Sequence, residues 1–454
     1  MSLTCFKSYD IRGRIGVDLD ADIARRIGRA FAEVLDARQV VLGRDIRNSS
    51  PELAAAVAAG LTATGVQVLD LGICGTEEVY FATGALEANG GIMVTASHNP
   101  IDYNGMKLVK AGAAPLDPVQ DLKPIKALAE SAAFAPDRAG GAIHDRSGTR
   151  AAYVERVLSF VDVAALRPLH ILVNAGNGAA GPTFDALATA LEAAGAPLRF
   201  TRMHHAPDGS FPNGIPNPLL TANQPATAEA VRQAGADMGI AWDGDFDRCF
   251  FFDATGRFIP GEHIVGLLAR AFLTRAPGAA IAYDPRVVLS TRDIIARAGG
   301  RAVQANTGHV NLKAALRSAG AVYGGEMSAH HYFRDFYCCD SGMIPWLLVA
   351  ELLGRTGESL AGLVDEQMRR FPSSGEINFQ IDDPAAAIAR VEAAMIDRAT
   401  ARDDSDGLSL EFPGGRFNLR RSNTEPLVRL NVETRGDPAL LDEMTAQITR
   451  LLEG

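Results

Sequence analysis

The sequence predicts the α/β fold class: three topologically similar α/β domains plus a smaller C-terminal α+β domain around a central cleft. Three observations carry this. Short apolar runs rich in β-branched residues alternate with segments of helical period, the rhythm recurs twice, and the order of elements changes after Phe371 and Pro372. A length of 454 residues fits several cores better than one.

In the first round, residues 40–42, 67–71 and 91–95 read as strands. A helix over about 22–35 turns Ile23, Ile27, Phe31 and Val34 inward. A second begins with Ser50 as N-cap and Pro51 at the first helical position, buries Leu53, Val57 and Leu61, and closes at Gly65. The second round reads as strands over 170–174, 198–202 and 238–242 with a helix near 184–193. The third places helices over 264–273, 292–298 and 312–318 around strands at 279–283 and 302–305. No residue-level repeat accompanies the rhythm. Beyond Phe371, a helix over 384–395, strands near 408–412 and 427–432, and a terminal helix from Pro438 predict the α+β domain. The expected boundaries are 1–148, 149–253, 254–367 and 368–454. Residues 207–218 form a long polar loop, a kind of segment that often serves function.

With 47% apolar residues, the composition excludes disorder as the dominant state. A formal net charge of −10 makes nucleic acid and anionic membrane unfavourable partners, while a local basic cluster can still hold a small anion. The five cysteines, Cys5, Cys74, Cys249, Cys338 and Cys339, are odd in number and lack metal-site spacing, which suits a reducing cytoplasm. The first residues show no secretory h-region, and the densest apolar stretch, 343–353, is short of a bilayer span. A soluble cytoplasmic protein with a small-molecule partner, and no obligate protein partner, is expected.

Four segments could carry chemistry. Thr95-Ala96-Ser97-His98-Asn99-Pro100 ends an apolar strand, where open α/β sheets place ligands, and the reading puts Ser97 at an exposed strand end. A serine hydroxyl needs help as a nucleophile, and His98 and Lys107 could supply it; a capping serine in an Asn-Pro turn reads the same way. Asp243, Asp245 and Asp247 alternate in what reads as extended backbone, converging on one side. Such carboxylates repel without a cation, and a small set of hard oxygen ligands suits Mg2+; a solvated acidic turn is the alternative. Glu326, Ser328 and His330 offer groups suited to sugar hydroxyls, or a turn in which Glu326 caps a helix. Arg420, Ser422, Asn423 and Thr424 can cradle phosphate or form a surface hairpin. Four such segments from four predicted domains are what a central cleft requires.

Together with Tyr9-Asp10-Ile11-Arg12-Gly13 and Thr307-Gly308-His309, these motifs resemble, in order and along the whole chain, the α-D-phosphohexomutase superfamily, and within it the phosphomannomutase/phosphoglucomutase branch. The resemblance implies a heart-shaped, four-domain isomerase interconverting hexose 1- and 6-phosphates, mannose and glucose among them, through a hexose 1,6-bisphosphate. It implies a phosphoryl group on Ser97, and Mg2+ held by that group with Asp243, Asp245 and Asp247. Arg248 would neutralise charge on the transferring oxygens, and Glu326 and Ser328 would read sugar hydroxyls. Arg420, Ser422, Asn423 and Thr424 would hold the phosphate not in transfer. Tyr9, Arg12, Thr307, Gly308, His309 and His330 would complete the substrate site. Where the family pattern has a lysine this chain has Arg286, which keeps phosphate contact without a deprotonatable amine. His98, Lys107 and His309 are the candidates for proton transfer, His309 being read as a loop residue. A phosphoglucosamine mutase, a Mg2+-dependent sugar-phosphate phosphatase and a non-catalytic sugar-phosphate binding protein are the rival readings.

Overall fold

One chain path builds three sheets in succession. In the first, parallel strands Gly90–Val94, Gln39–Arg44 and Gln67–Ile73 lie side by side, and Tyr103–Lys110 adds antiparallel beside Gly90–Val94. Counted from Gln39–Arg44, the spatial order is fourth, third, first, second. The second sheet repeats it with Cys249–Asp253, Met238–Trp242, Leu169–Asn174 and Leu198–Met203. The third keeps its parallel core, Tyr323–Gly325, Ala280–Tyr283 and Arg301–Gln304, in the same third-first-second order. The fourth sheet is antiparallel throughout: Ser373–Gln380, Leu427–Thr434, Gly415–Arg421, Leu408–Phe412, Ala401–Asp403.

The computed structural model describes residues 2–421 and 427–454. Its internal contacts define two units, Met1–Phe258 with Phe333–Gly357, and Ile259–Tyr332 with Glu358–Gly454.

In the first unit, strand Gly90–Val94 is buried at every position, as a parallel strand covered on both faces must be. Helix Ala21–Val34 starts at Asp20, whose carboxylate accepts the Ile23 N–H, and buries Ile23, Ile27 and Phe31. The next helix, Ser50–Thr62, departs from the reading. Ser50 stands inside it, Ser49 precedes it without a capping bond, and the helix stops three residues before Gly65. The Ser50 hydroxyl turns inward, donating to Asp45 Oδ1 at 2.5 Å and accepting from Asn104 Nδ2 at 2.9 Å, so its oxygen serves these buried partners and not the N–H groups of the helix end. Of residues 343–353, Met343 caps helix Ile344–Thr356 and the rest lie within it, where Trp346 packs on Phe184 and Phe200. No helix among the described residues is long and apolar enough to cross a membrane.

In the second unit, helices Pro384–Met395 and Pro438–Glu453 lay Val391, Met395, Met444 and Ile448 on Phe417, Val428 and Leu430 of the antiparallel sheet. Each such side chain contributes roughly 1.5–3 kcal/mol by leaving water. Helix His309–Ala319 begins at His309, so that residue opens a helix and does not lie in a loop.

The shared path has a functional consequence. The Ser97 motif, the aspartate motif and the Glu326 motif each fill the connection from third to fourth strand of their own sheet. Three motifs far apart in sequence therefore occupy equivalent positions at strand carboxyl ends, where α/β sheets bind ligands.

Candidate active site

In the first unit, the chain leaves Gly90–Val94 and Ser97 takes φ +49°, left-handed backbone that costs a side-chain-bearing residue roughly 1 kcal/mol. Thr95 Oγ1 holds the turn by accepting the Ser97 N–H at 2.9 Å. Ser97 is only 3% exposed, which corrects the expectation of an exposed strand end. Its hydroxyl donates to Asp243 Oδ2 at 2.6 Å, lies 3.0 Å from His98 Nδ1 and accepts from Arg248 Nη2 at 3.3 Å.

The aspartates converge through a turn, not through extended backbone. The Phe246 N–H bonds to Asp243 O at 3.1 Å, and Phe246 takes φ +47°. Gly244 allows this turn to meet the serine loop, since a Cβ there would stand 2.6 Å from the Ser97 carbonyl oxygen. Asp243, Asp245 and Asp247 are all buried, and a ligand oxygen from each lies within 4.8 Å of the others. Among the described residues no donor reaches Asp243 Oδ1 or Asp245 Oδ1. Converging buried carboxylates with oxygens left over fit a small hard cation such as Mg2+. Lys107 stands among them, on the strand Tyr103–Lys110, its Nζ donating to Asp245 Oδ2 at 2.7 Å and to Asp247 Oδ2. Burial alone would raise the Asp245 carboxyl; the Lys107 ammonium and the Thr76 hydroxyl, 2.5 Å away, overcome it and hold the acid below its usual range.

Arg248 donates to Asp243 Oδ2 from both Nε, at 2.9 Å, and Nη2, at 2.6 Å, and also to His98 Nδ1. The His98 ring keeps an exposed edge, yet crowding around it and the cations Arg248 and Arg12 hold it well below the usual imidazole range. Its Nδ1 accepts from Arg248 and so has no proton to give. Arg12 donates to Thr95 O at 2.8 Å and pairs with Asp10 at 3.1 Å. Tyr9 lies half-buried just ahead of the strand Ile11–Arg14.

In the second unit, Glu326 is buried and ties two motifs together. Its Oε1 accepts the Gly308 N–H at 2.6 Å, and its Oε2 accepts the Tyr332 hydroxyl at 3.0 Å. Gly308 takes φ +115°, a conformation open to glycine, and places His309 at the start of its helix. The Thr307 N–H donates to Asp406 Oδ2 at 2.9 Å. Ser328 accepts from Arg286 Nη2 at 3.1 Å, and half-buried His330 stacks on Tyr332 with ring centroids 6.1 Å apart. Arg286 also pairs with Asp284 through Nε at 2.7 Å.

Arg420 belongs to the strand Gly415–Arg421, and its Nη2 donates to Glu376 Oε2 at 2.9 Å. Arg286 and Arg429 approach the same carboxylate at 3.8 and 3.7 Å. Burial works to raise Glu376, and the three guanidiniums overcome it and hold the acid below its usual range. Three guanidiniums against two carboxylates, Glu376 and the Asp284 that also holds Arg286, retain positive charge for an anion. Ser422, Asn423 and Thr424 lie outside the described residues.

The sequence reading missed Thr76, Asp284, Tyr332, Glu376 and Arg429. Only Asp284 carried a local signal, a carboxylate two residues before Arg286 at the end of an apolar strand. Tyr332 lies only six residues beyond Glu326, on a short strand the reading did not identify, while Thr76, Glu376 and Arg429 meet their partners from distant segments.

Comparison with known proteins agrees with this fold. Residues 4–135, 151–256 and 260–371 match the phosphoglucomutase/phosphomannomutase alpha/beta/alpha domains I, II and III, and residues 376–451 match the C-terminal domain. The chain is 56% identical to a phosphomannomutase of Salmonella montevideo, with 99% of each covered. It is 55% identical to phosphohexose mutases of Xanthomonas campestris, with 100% of each covered. A crystal structure of a phosphoglucomutase/phosphomannomutase family protein from Burkholderia thailandensis superposes with TM-score 0.88 at 35% identity, covering 100% of this chain and 98% of the other.

Proposed function

The chain belongs to the phosphoglucomutase/phosphomannomutase family and is a phosphohexomutase, an isomerase; from that premise we propose that it acts through a phosphoserine at Ser97, a bound Mg2+ and a hexose 1,6-bisphosphate intermediate. The observation that carries the reading is the Ser97 hydroxyl donating at 2.6 Å to one of three buried, converging carboxylates. Asp243, Asp245 and Asp247 would hold the metal, which supplies Lewis-acid neutralisation of charge on the transferring phosphoryl oxygens.

The chain's own residues do the rest. The Ser97 Oγ–phosphorus bond breaks as a bond forms from phosphorus to the free hydroxyl oxygen of a hexose 1- or 6-phosphate. The attacking hydroxyl gives up its proton and the departing Ser97 Oγ takes one up, while Arg248, fixed by two bonds to Asp243, faces the charge that develops. The resulting bisphosphate turns end over end, and its other phosphoryl group returns to Ser97, so phosphate is conserved. Glu326, Ser328 and His330 read sugar hydroxyls, with Thr307, Gly308 and His309 fixed beside Glu326. Arg286 and Arg420, with Ser422, Asn423 and Thr424, hold the phosphate that is not reacting, and Tyr9 and Arg12 contribute to the same substrate.

Mannose and glucose phosphates are both substrates in this reading. They differ at the 2-hydroxyl, and a site that must accept the intermediate in two orientations gains little by policing that position in one. The Xanthomonas relative named for phosphohexose mutases in general supports this breadth. The four domains are assigned to 1–148, 149–253, 254–367 and 368–454. A cytoplasmic setting suits the five cysteines, all of them buried free thiols.

One sample assayed for interconversion of mannose 1-phosphate, glucose 1-phosphate and glucosamine 1-phosphate, together with inorganic phosphate release, tests the reading. Interconversion of the first two without phosphate release is expected. Net phosphate release would make it a phosphatase, and a higher kcat/KM on glucosamine 1-phosphate would overturn the substrate assignment.

A further inference from the structure

Two of the repeated sheets share a residue pattern that the rhythm alone does not show. Asp45-Ile46-Arg47 follows the first strand of the first sheet, Gln39–Arg44, and Asp284-Pro285-Arg286 follows the first strand of the third, Ala280–Tyr283. In both, the aspartate Oδ1 accepts the N–H of the arginine two residues on, at 3.0 and 3.3 Å. In both, the arginine pairs with that aspartate and reaches the third-to-fourth connection of its own sheet. The second sheet has Asn174-Ala175-Gly176 at this place and holds the turn by an asparagine bond to the Gly176 N–H at 2.9 Å. Arg286 finds the Ser328 hydroxyl; Arg47 finds the backbone of the serine loop.

The hydrogen bonds of the Arg47 guanidinium all go to carbonyl oxygens around Ser97. Nη2 donates to Ser97 O at 3.0 Å and Asn99 O at 2.6 Å, and Nη1 to Pro100 O at 2.8 Å and Tyr103 O at 3.1 Å. The side chain is 1% exposed, and Asp45, 3.6 Å away, compensates its charge. One plane of donors thus spans the loop from Ser97 to the strand that bears Lys107. The long polar loop 207–218 presses on this device from outside. Phe211, at φ +48°, sets its ring 5.6 Å from the Arg47 guanidinium carbon, and a Cβ on Gly209 would stand 2.3 Å from Ile46 O.

We infer that Arg47, backed by Phe211, is the positioning residue that keeps the left-handed Ser97 turn seated against the aspartates during phosphoryl transfer. It touches neither phosphate nor sugar; it acts through the backbone of the loop that carries the nucleophile. This rests on the reading that Ser97 is the phosphoryl carrier. Lysine keeps the charge beside Asp45 but offers donors from a single atom, which does not span four carbonyls. The loop then drifts from its reactive geometry, and phosphoserine is reached by water more often.

The test uses the full chain charged with radiolabelled glucose 1,6-bisphosphate, in the parent, Arg47→Lys and Phe211→Leu. Rates of label transfer to glucose 6-phosphate and to water, steady-state kcat and KM, and thermal midpoints are recorded. Arg47→Lys should lower kcat roughly 10–100-fold, the scale of an ångström-sized misplacement, with KM within about twofold and a larger share of label lost to water. Phe211→Leu should lower kcat about threefold with the same split, and decides the matter should Arg47→Lys fail to fold. A folded variant with parental kcat, a rise in KM alone, or a fall in kcat that only tracks the folded fraction would overturn the inference. A parent that takes no label on Ser97 would overturn the carrier reading first, and is distinguished by failing before any variant is compared.

Discussion

His331 is fully buried, its Nδ1 is 2.8 Å from the Tyr323 hydroxyl, and burial, with the neighbouring His330 ring, depresses its imidazole to about 3. In the unfolded chain the same group titrates near 6.5. The native state therefore binds fewer protons than the unfolded state below about pH 6.5. Stability from this residue is present above that pH and is lost as pH falls toward 3. At pH 5 the unfolded imidazole gains about 1.5 pH units of proton binding that the native one lacks, worth roughly 2 kcal/mol at 1.36 kcal/mol per unit. His331→Phe keeps a ring and removes the titration; losing the Tyr323 bond costs about 1 kcal/mol at every pH. The parent should thus pass from about 1 kcal/mol more stable than the variant at pH 7.5 to about 1 kcal/mol less stable at pH 5. Both tryptophans, Trp242 and Trp346, lie in the other unit, so hydrogen exchange at Tyr323–Gly325 and urea melts followed by circular dichroism are the suitable readouts. A gap independent of pH would refute the argument, since it would mean that this imidazole titrates alike in both states.

Three further outcomes follow from the site. On the proposed metal site, Asp243→Asn removes a charged ligand and leaves Arg248 a neutral acceptor, and should raise the Mg2+ concentration for half-activation at least tenfold, about 1.4 kcal/mol, in a metal titration of activity. Glu326→Gln weakens a charge-assisted bond from the Gly308 N–H and should cut kcat/KM about 10–100-fold in a coupled assay while the thermal midpoint stays within a few degrees. Arg420→Ala removes a guanidinium that the proposed function assigns to the phosphate not in transfer; it should raise KM about tenfold, and bisphosphate released per turnover, read by chromatography of the reaction, should rise with it.

What the sequence disclosed and what it concealed divide along physical lines. Ser97, the three aspartates and Glu326 were legible because their chemistry is concentrated in consecutive residues at the ends of apolar strands. Lys107 was named as a candidate, yet its strand Tyr103–Lys110 went unread, since Asn104 and Lys107 interrupt the apolar run on which strand reading depends. Alternation across Asp243, Asp245 and Asp247 suggested the right convergence for the wrong reason, because the left-handed Phe246 folds the segment into a turn. Ser50 carried a sound capping signal, but the buried Asp45 took its hydroxyl. Glu376 lies 44 residues from Arg420 and reads as an ordinary strand acid until the sheet brings them together. The aspartate–arginine pairs at 45–47 and 284–286 are too short to register as a repeat in one dimension; the common strand order gives them meaning.

The account depends most on Ser97 as the phosphoryl carrier. Intact-protein mass measured after incubation with glucose 1,6-bisphosphate and Mg2+, for the parent and for Ser97→Ala, tests it directly. The parent should gain the mass of one phosphoryl group, placed on Ser97 by peptide fragmentation and lost when glucose 6-phosphate is supplied in excess. Ser97→Ala should gain nothing and interconvert nothing, with its thermal midpoint within a few degrees of the parent's. Undiminished interconversion by Ser97→Ala, or a phosphoryl group found on another residue of the parent, would contradict the account.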